Sequence, residues 1–182
     1  VKELEARRLE GMRLQQDLKP PIACQSFGRA MVQPLVTRES AGEEYIAWPT
    51  DRGYLFVGRI SRLDEDYFEM MYKLETAADI TARPTILPAA TDAPSDSAII
   101  FAPSQDGFLH AIREHDGTSM WRFSTGERVV QPAAPIADKV YVTTQLGGMY
   151  CLAVQTGQQL WWAPGIMQFI SAGKDRVYAE DR

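Results

Sequence analysis

Cysteine is nearly absent from this chain of 182 residues, with only Cys24 and Cys151 far apart in sequence. Two such residues cannot staple a small secreted scaffold, and each reads as a small buried hydrophobe. Histidine is equally scarce. His110 and His115 have no carboxylate or thiolate at ligand spacing, so no zinc site is legible. No apolar run is long enough to span a bilayer, and the N-terminus lacks the apolar core of a signal peptide. A chain opening on Val1 is expected to have lost a segment upstream, so that lack says nothing of destination. Basic charge is also short. Nineteen Lys and Arg against 24 Asp and Glu give a net charge of −5, with no basic stripe, which argues against nucleic acid as a partner. Neither a Gly-x-Ser-x-Gly elbow nor a phosphate-cradling glycine loop occurs.

What the chain does have is one pattern written twice. Ile100-Phe101, Gly107-Phe108-Leu109-His110-Ala111-Ile112, Asp116-Gly117 and Trp121 return 40 positions later. The second copy reads Val140-Tyr141, Gly147-Gly148-Met149-Tyr150-Cys151-Leu152, Thr156-Gly157 and Trp161. A period of that size, filled with short apolar runs and turn glycines, predicts a radial or stacked all-β repeat. Aligning Gly53 with Gly107 exposes a looser earlier copy, in which Phe56 matches His110 and Tyr150, and Tyr72 takes the tryptophan place. Five extra residues put an insertion into its loop at 61–69, a hairpin tip. Three copies share a lead-in, Val32-Gln33-Pro34, Ala82-Arg83-Pro84 and Val130-Gln131-Pro132, and a fourth begins at Ser171, with Val177-Tyr178 matching Val140-Tyr141.

Strand alternation places Leu109 and Ala111 on one face, His110 and Ile112 on the other. A large aromatic at a fixed place in every unit suits packing between neighbouring units. Earlier strands are expected at 31–36, 45–48 and 54–57. Residues 1–18 read as a helix, rich in helix formers and with Glu3 and Arg7 at i,i+4 spacing, ended by Lys19-Pro20-Pro21. The expected division is therefore a helix and linker over 1–19 and a repeat domain over 20–182, with units at 28–80, 81–130 and 131–170 and a partial one at 171–182.

Ala111-x-Arg113-x-x-Asp116-Gly117-x-x-x-Trp121 and Cys151-x-Ala153-x-x-Thr156-Gly157-x-x-x-Trp161 resemble the tryptophan-docking motif Ala-x-Asp-x-x-Thr-Gly-x-x-x-Trp. That motif marks the pyrroloquinoline-quinone-like β-propeller repeat of quinoprotein dehydrogenases and of non-catalytic relatives such as the outer-membrane assembly lipoprotein of the β-barrel machinery. The resemblance covers 28–182. It departs at Arg113 and Ala153 (Asp in the motif) and at Asp116 (Thr), and the first copy has Tyr72 and no Thr-Gly. It implies an all-β propeller arc of about three four-stranded blades plus the start of a fourth, preceded by the helix. The residues expected to carry it are Gly53, Tyr72, Gly107, Gly117, Trp121, Gly147, Gly157 and Trp161. WD40 repeats would show Gly-His and Trp-Asp pairs, and kelch repeats more than the single doublet Gly147-Gly148.

The quinoprotein branch holds its cofactor between a tryptophan floor and a disulfide of adjacent cysteines, beside calcium and a catalytic aspartate. This chain has no adjacent cysteines, and its repeated tryptophans belong to the docking motif. Asp64-Glu65-Asp66 with Glu69 lacks a glycine-turned calcium loop. No catalytic residue, cofactor or metal is therefore assigned. The expected function is a non-catalytic, protein-binding scaffold of the cell envelope, its periplasmic setting implied by the resemblance alone. The alternatives are a fragment of a quinoprotein dehydrogenase whose cofactor and catalytic residues lie outside the chain, and the sensor portion of a receptor. Closed propellers have ~4–8 blades, so the ring is expected to be completed by residues outside the chain or by a second copy.

Overall fold

The computed structural model describes residues 27–38, 43–61, 67–89 and 97–181. The expected N-terminal helix, Cys24 and the acidic run 64–66 lie outside them. The described residues form three four-stranded antiparallel sheets and one of two strands, each meandering in sequence order. The first blade comprises β1 (Leu35–Arg38), β2 (Glu43–Pro49), β3 (Tyr54–Ser61) and β4 (Tyr67–Glu75). The second comprises β5 (Thr85–Leu87), β6 (Ile99–Pro103), β7 (Phe108–Arg113) and β8 (Ser119–Ser124). The third comprises β9 (Ala134–Ile136), β10 (Lys139–Thr143), β11 (Gly148–Ala153) and β12 (Gln159–Pro164). A hairpin of β13 (Ile166–Ala172) and β14 (Val177–Asp181) follows. This is the propeller arc that the repeat implied.

Each central hairpin turns on one of the repeat glycines. Ser104 N–H donates to the Phe108 carbonyl (3.0 Å) and Gly107 N–H to the Ser104 carbonyl (3.2 Å). Gly107 itself sits at φ +86°. That is a type I turn closed by a left-handed residue, a place where glycine avoids the Cβ clash. Thr144 to Gly148, with Gly147 at φ +96°, repeats it.

The blades stack because a single sheet leaves apolar residues on both faces. All of β6 is buried: Ile99 and Phe101 face the third blade with Leu109 and Ala111, while Ile100, Ala102 and Ile112 face the first. Tyr45, Leu55, Val57 and Ile80 complete the first seam; Val140, Val142 and Leu152 complete the second. Tyr141, Met149 and Cys151 meet Ile166, Phe169 and Val177 in the third. Each large side chain fully buried there contributes about 1.5–3 kcal/mol.

Three sequence expectations shift. The first strand starts at Leu35 instead of 31, because Pro34 lacks the N–H a ladder needs and serves as lead-in. The insertion is not confined to a loop: Ser61 pairs with Tyr67 and Arg59 with Glu69, so much of it lengthens the β3–β4 ladder. The boundary at 170/171 falls inside β13, which begins at Ile166 because Gly165 alone separates it from β12, with no lead-in.

Candidate functional site

The repeat residues converge on the seams between blades. In all three complete blades the ladder between the third and fourth strands slips at the same step, after Val57, Ala111 and Cys151. Directly opposite these residues stand Tyr72, Trp121 and Trp161. A bulge re-aims the side chain beside it, and here it sends an aromatic ring towards the next blade. The Tyr72 hydroxyl donates to the Glu114 carbonyl at 2.7 Å, and Trp121 Nε1 donates to the Val154 carbonyl at 2.7 Å. Under each ring lies a glycine. A Cβ on Gly117 would come within 2.5 Å of Tyr72 Cδ2, and one on Gly157 within 2.6 Å of Trp121 Cδ2. Both glycines are also left-handed, at φ +72° and +68°.

The departures from the motif are chemically silent where they can be read. Asp116 Oδ1 accepts the Thr118 N–H at 2.8 Å, as Thr156 Oγ1 accepts the Gln158 N–H at 3.3 Å. That backbone donor is the main reason the Asp116 carboxyl is held below the usual carboxylate range. Burial, aided by the nearby Glu114, holds the Tyr72 phenol far above the ordinary tyrosine range, so it stays a donor at any working pH. Thr37 of β1 donates to the buried Glu114 carboxylate, a further tie across the first seam.

Sequence reasoning missed a clasp at the start of each linker. Thr125 Oγ1 shares its one proton between the carbonyls of Gly107 (3.0 Å) and Glu127 (2.6 Å); Thr76 does the same between Gly53 (3.0 Å) and Ala78 (2.7 Å). The signal was present as a threonine just after the fourth strand, but Gly165 takes that place in the third blade and breaks the pattern. Gln131 was noted only as a lead-in. Its side chain accepts from Thr143 Oγ1 (2.9 Å) and donates to the Met167 carbonyl (3.0 Å), joining the third blade to β13.

His110 is buried, and its Nε2 has no hydrogen-bond partner among the described residues. Its sister Tyr150 is long enough to donate to the Thr125 carbonyl at 3.1 Å. Burial lowers the His110 pKa, Asp106 opposes that, and Arg122 adds to it. His115 is exposed. Burial pushes the Cys151 thiol up, away from the thiolate a nucleophile needs. Among the described residues no group of three or more His, Cys, Asp or Glu is placed to hold a metal ion. No helix among them is long and apolar enough to cross a membrane.

Exposed apolar residues lie towards both ends of the arc, with Phe27, Met31, Val36 and Met70 at the first blade and a second group at the third blade and beyond it. Leu146 (67 % exposed) caps its central turn, and Trp162 (50 %) lies over Gly148 at the same end. Trp162 closes an aromatic row, 6.3 Å from Tyr150, which is 5.3 Å from Phe123. Ile170 and Tyr178 are exposed on the β13–β14 hairpin.

Successive four-stranded meanders, bulged alike and joined by aromatic docking, define a β-propeller fold. Solved structures agree. BamB from Moraxella catarrhalis superposes with a TM-score of 0.53 at 16% identity, over 83% of this chain and 48% of that one. Sqt1 of Saccharomyces cerevisiae gives 0.54 at 14%, over 75% and 38%. A europium-containing methanol dehydrogenase gives 0.50 at 14%, over 74% and 24%. The chain thus spans less than half the length of each. No protein-family model matches the sequence. No curated protein matches it either.

Proposed function

We propose that the chain is a non-catalytic propeller module that holds a protein partner in the cell envelope. The observation that carries this reading is the commitment of its repeated residues: Tyr72, Trp121, Gly117 and Gly157 are used up in joining blade to blade. Among the exposed apolar residues, Leu146 and Trp162 lie at one end of the third blade and offer a surface for outside contacts. Aromatic side chains there supply contact area at little entropic cost, as interface anchors do. The resemblance to the envelope branch of the propeller family supports an extracytoplasmic location, and the three complete blades support a ring finished by further chain or by another molecule.

A photo-crosslinking residue at Leu146 or Trp162 is expected to capture one discrete protein in the cell, and an equivalent at exposed Arg176 none. Failure of both Leu146 and Trp162 to capture a partner overturns the reading. The second reading, a fragment of a quinoprotein dehydrogenase, is favoured only by the likeness to methanol dehydrogenase. Adding pyrroloquinoline quinone with calcium to the chain is expected to leave its melting temperature unchanged. A rise of several degrees would favour the enzyme, since a ligand of the native state stabilises it.

A further inference from the structure

One pair of positions recurs beside the central turn of every complete blade: the first residue of the third strand and its diagonal neighbour on the fourth. In the first blade it holds an aromatic ring and a cation, with Lys73 Nζ 4.8 Å from the centre of the Tyr54 ring. The second blade repeats this with Arg122, whose guanidinium carbon lies 5.1 Å from the centre of the Phe108 ring. Register makes the match strict, since Lys73, Arg122 and Trp162 stand opposite Phe56, His110 and Tyr150. The third blade breaks the pattern. Gly148 replaces the ring, Trp162 replaces the cation, and a Cβ on Gly148 would come within 2.9 Å of Trp162 Nε1. The indole therefore covers bare backbone, and among the described residues no cation lies over it.

The half-exposed indole stands at the rim of the second seam, between two complete blades. Trp162 shares a sheet face with Tyr150, whose hydroxyl donates to the Thr125 carbonyl and whose ring meets Phe123 of β8. Glu127, from the linker just beyond β8, brings a carboxylate to the same turn. Its Oε2 accepts the Leu146 N–H at 3.3 Å. Burial, with the charge of Glu127 added, holds the Tyr150 phenol above the ordinary tyrosine range.

We propose that Trp162, Tyr150 and Glu127 form a cation site at this rim, and that the site takes an arginine side chain from the protein partner. A guanidinium is planar and weakly hydrated, so it stacks on an indole while its N–H groups reach a carboxylate beside the ring. The net charge of −5 favours the approach of a basic segment. Two sister blades supply a cation at this place from their own fourth strand; the third supplies the ring there and takes its cation from outside. The inference rests on reading the chain as a protein-binding module, and gives the Leu146 surface a partner of defined charge.

The test titrates the nitrogen-15-labelled chain with the peptide N-acetyl-Gly-Arg-Gly-amide, and with its citrulline counterpart, which keeps the shape of arginine without the charge. The Trp162 indole N–H, assigned with Trp162→Phe, and the Gly148 amide are expected to shift saturably with the arginine peptide. The citrulline peptide is expected to bind about threefold more weakly or worse. Glu127→Gln keeps an acceptor for Leu146 and is expected to weaken the arginine peptide by about the same factor. Trp162→Leu, at an exposed position, is expected to abolish the Gly148 shift. No saturable shift, or equal binding of the citrulline peptide or of a leucine peptide, overturns the inference. Capture of a protein from Leu146 without an arginine-dependent shift overturns it too, and leaves the proposed function standing. An arginine-dependent shift without any capture upholds the cation site and removes the partner.

Discussion

At the scale of single residues, the seams depend on what two glycines lack. Gly157→Ala must strain a left-handed backbone and also push a Cβ into the Trp121 ring, whereas Gly126, at φ +73°, has nothing within 4 Å of its would-be Cβ. Both substitutions pay about 1–2 kcal/mol for conformation. Gly157→Ala is expected to lose about 1–3 kcal/mol more by overpacking, read as the difference between their urea midpoints. His110 supplies the pH dependence. Its folded-state pKa lies below the ordinary 6.5, so the fold prefers the neutral ring. Its contribution is intact above that value and is lost as pH falls through the lower folded pKa. Denaturant midpoints taken from pH 7.5 down to pH 5 should fall less steeply in His110→Phe than in the parent chain. The aromatic place of His110 was legible from its sisters Phe56 and Tyr150. Its orphan nitrogen was not, because that depends on how much shorter an imidazole is than a phenol.

At the scale of elements, the recurring unit is a hairpin, a bulge and a clasp. The hairpins were written in Gly107 and Gly147. The bulge was not, since it depends on pairing: Met120 and Leu160 are the extra residues that slip Trp121 and Trp161 into line, and nothing local marks them. The acceptors at Glu114 and Val154 were hidden for another reason, being main-chain atoms that any residue would provide. Thr125→Val removes the clasp's shared donor while keeping the side-chain shape. It is expected to cost about 0.5–1.5 kcal/mol, the worth of one shared O–H donor, measured by chemical denaturation. Thr76→Val should act alike in the first blade. If neither moves the midpoint, the clasp is ornamental and the linkers are held by their backbone bonds alone.

At the scale of the whole molecule, stability is a sum over blades and seams, as in any repeat protein. Hydrogen exchange is therefore expected to be slowest in β6 and β10, paired on both edges and flanked by seams, and fastest in β13 and β14. Uniform protection across all four sheets would refute that gradient. The arc was legible in the sequence because its period survives substitution; its edges were not, because β13 and the lengthened β3–β4 ladder are fixed by partners rather than by pattern. Where Arg113 leads into a docking turn, the matching Arg59 is followed by two more paired residues, Ile60 and Ser61. The first blade is thus tied along a longer ladder between its third and fourth strands than the second or third blade, which concentrates main-chain pairing at one end of the arc.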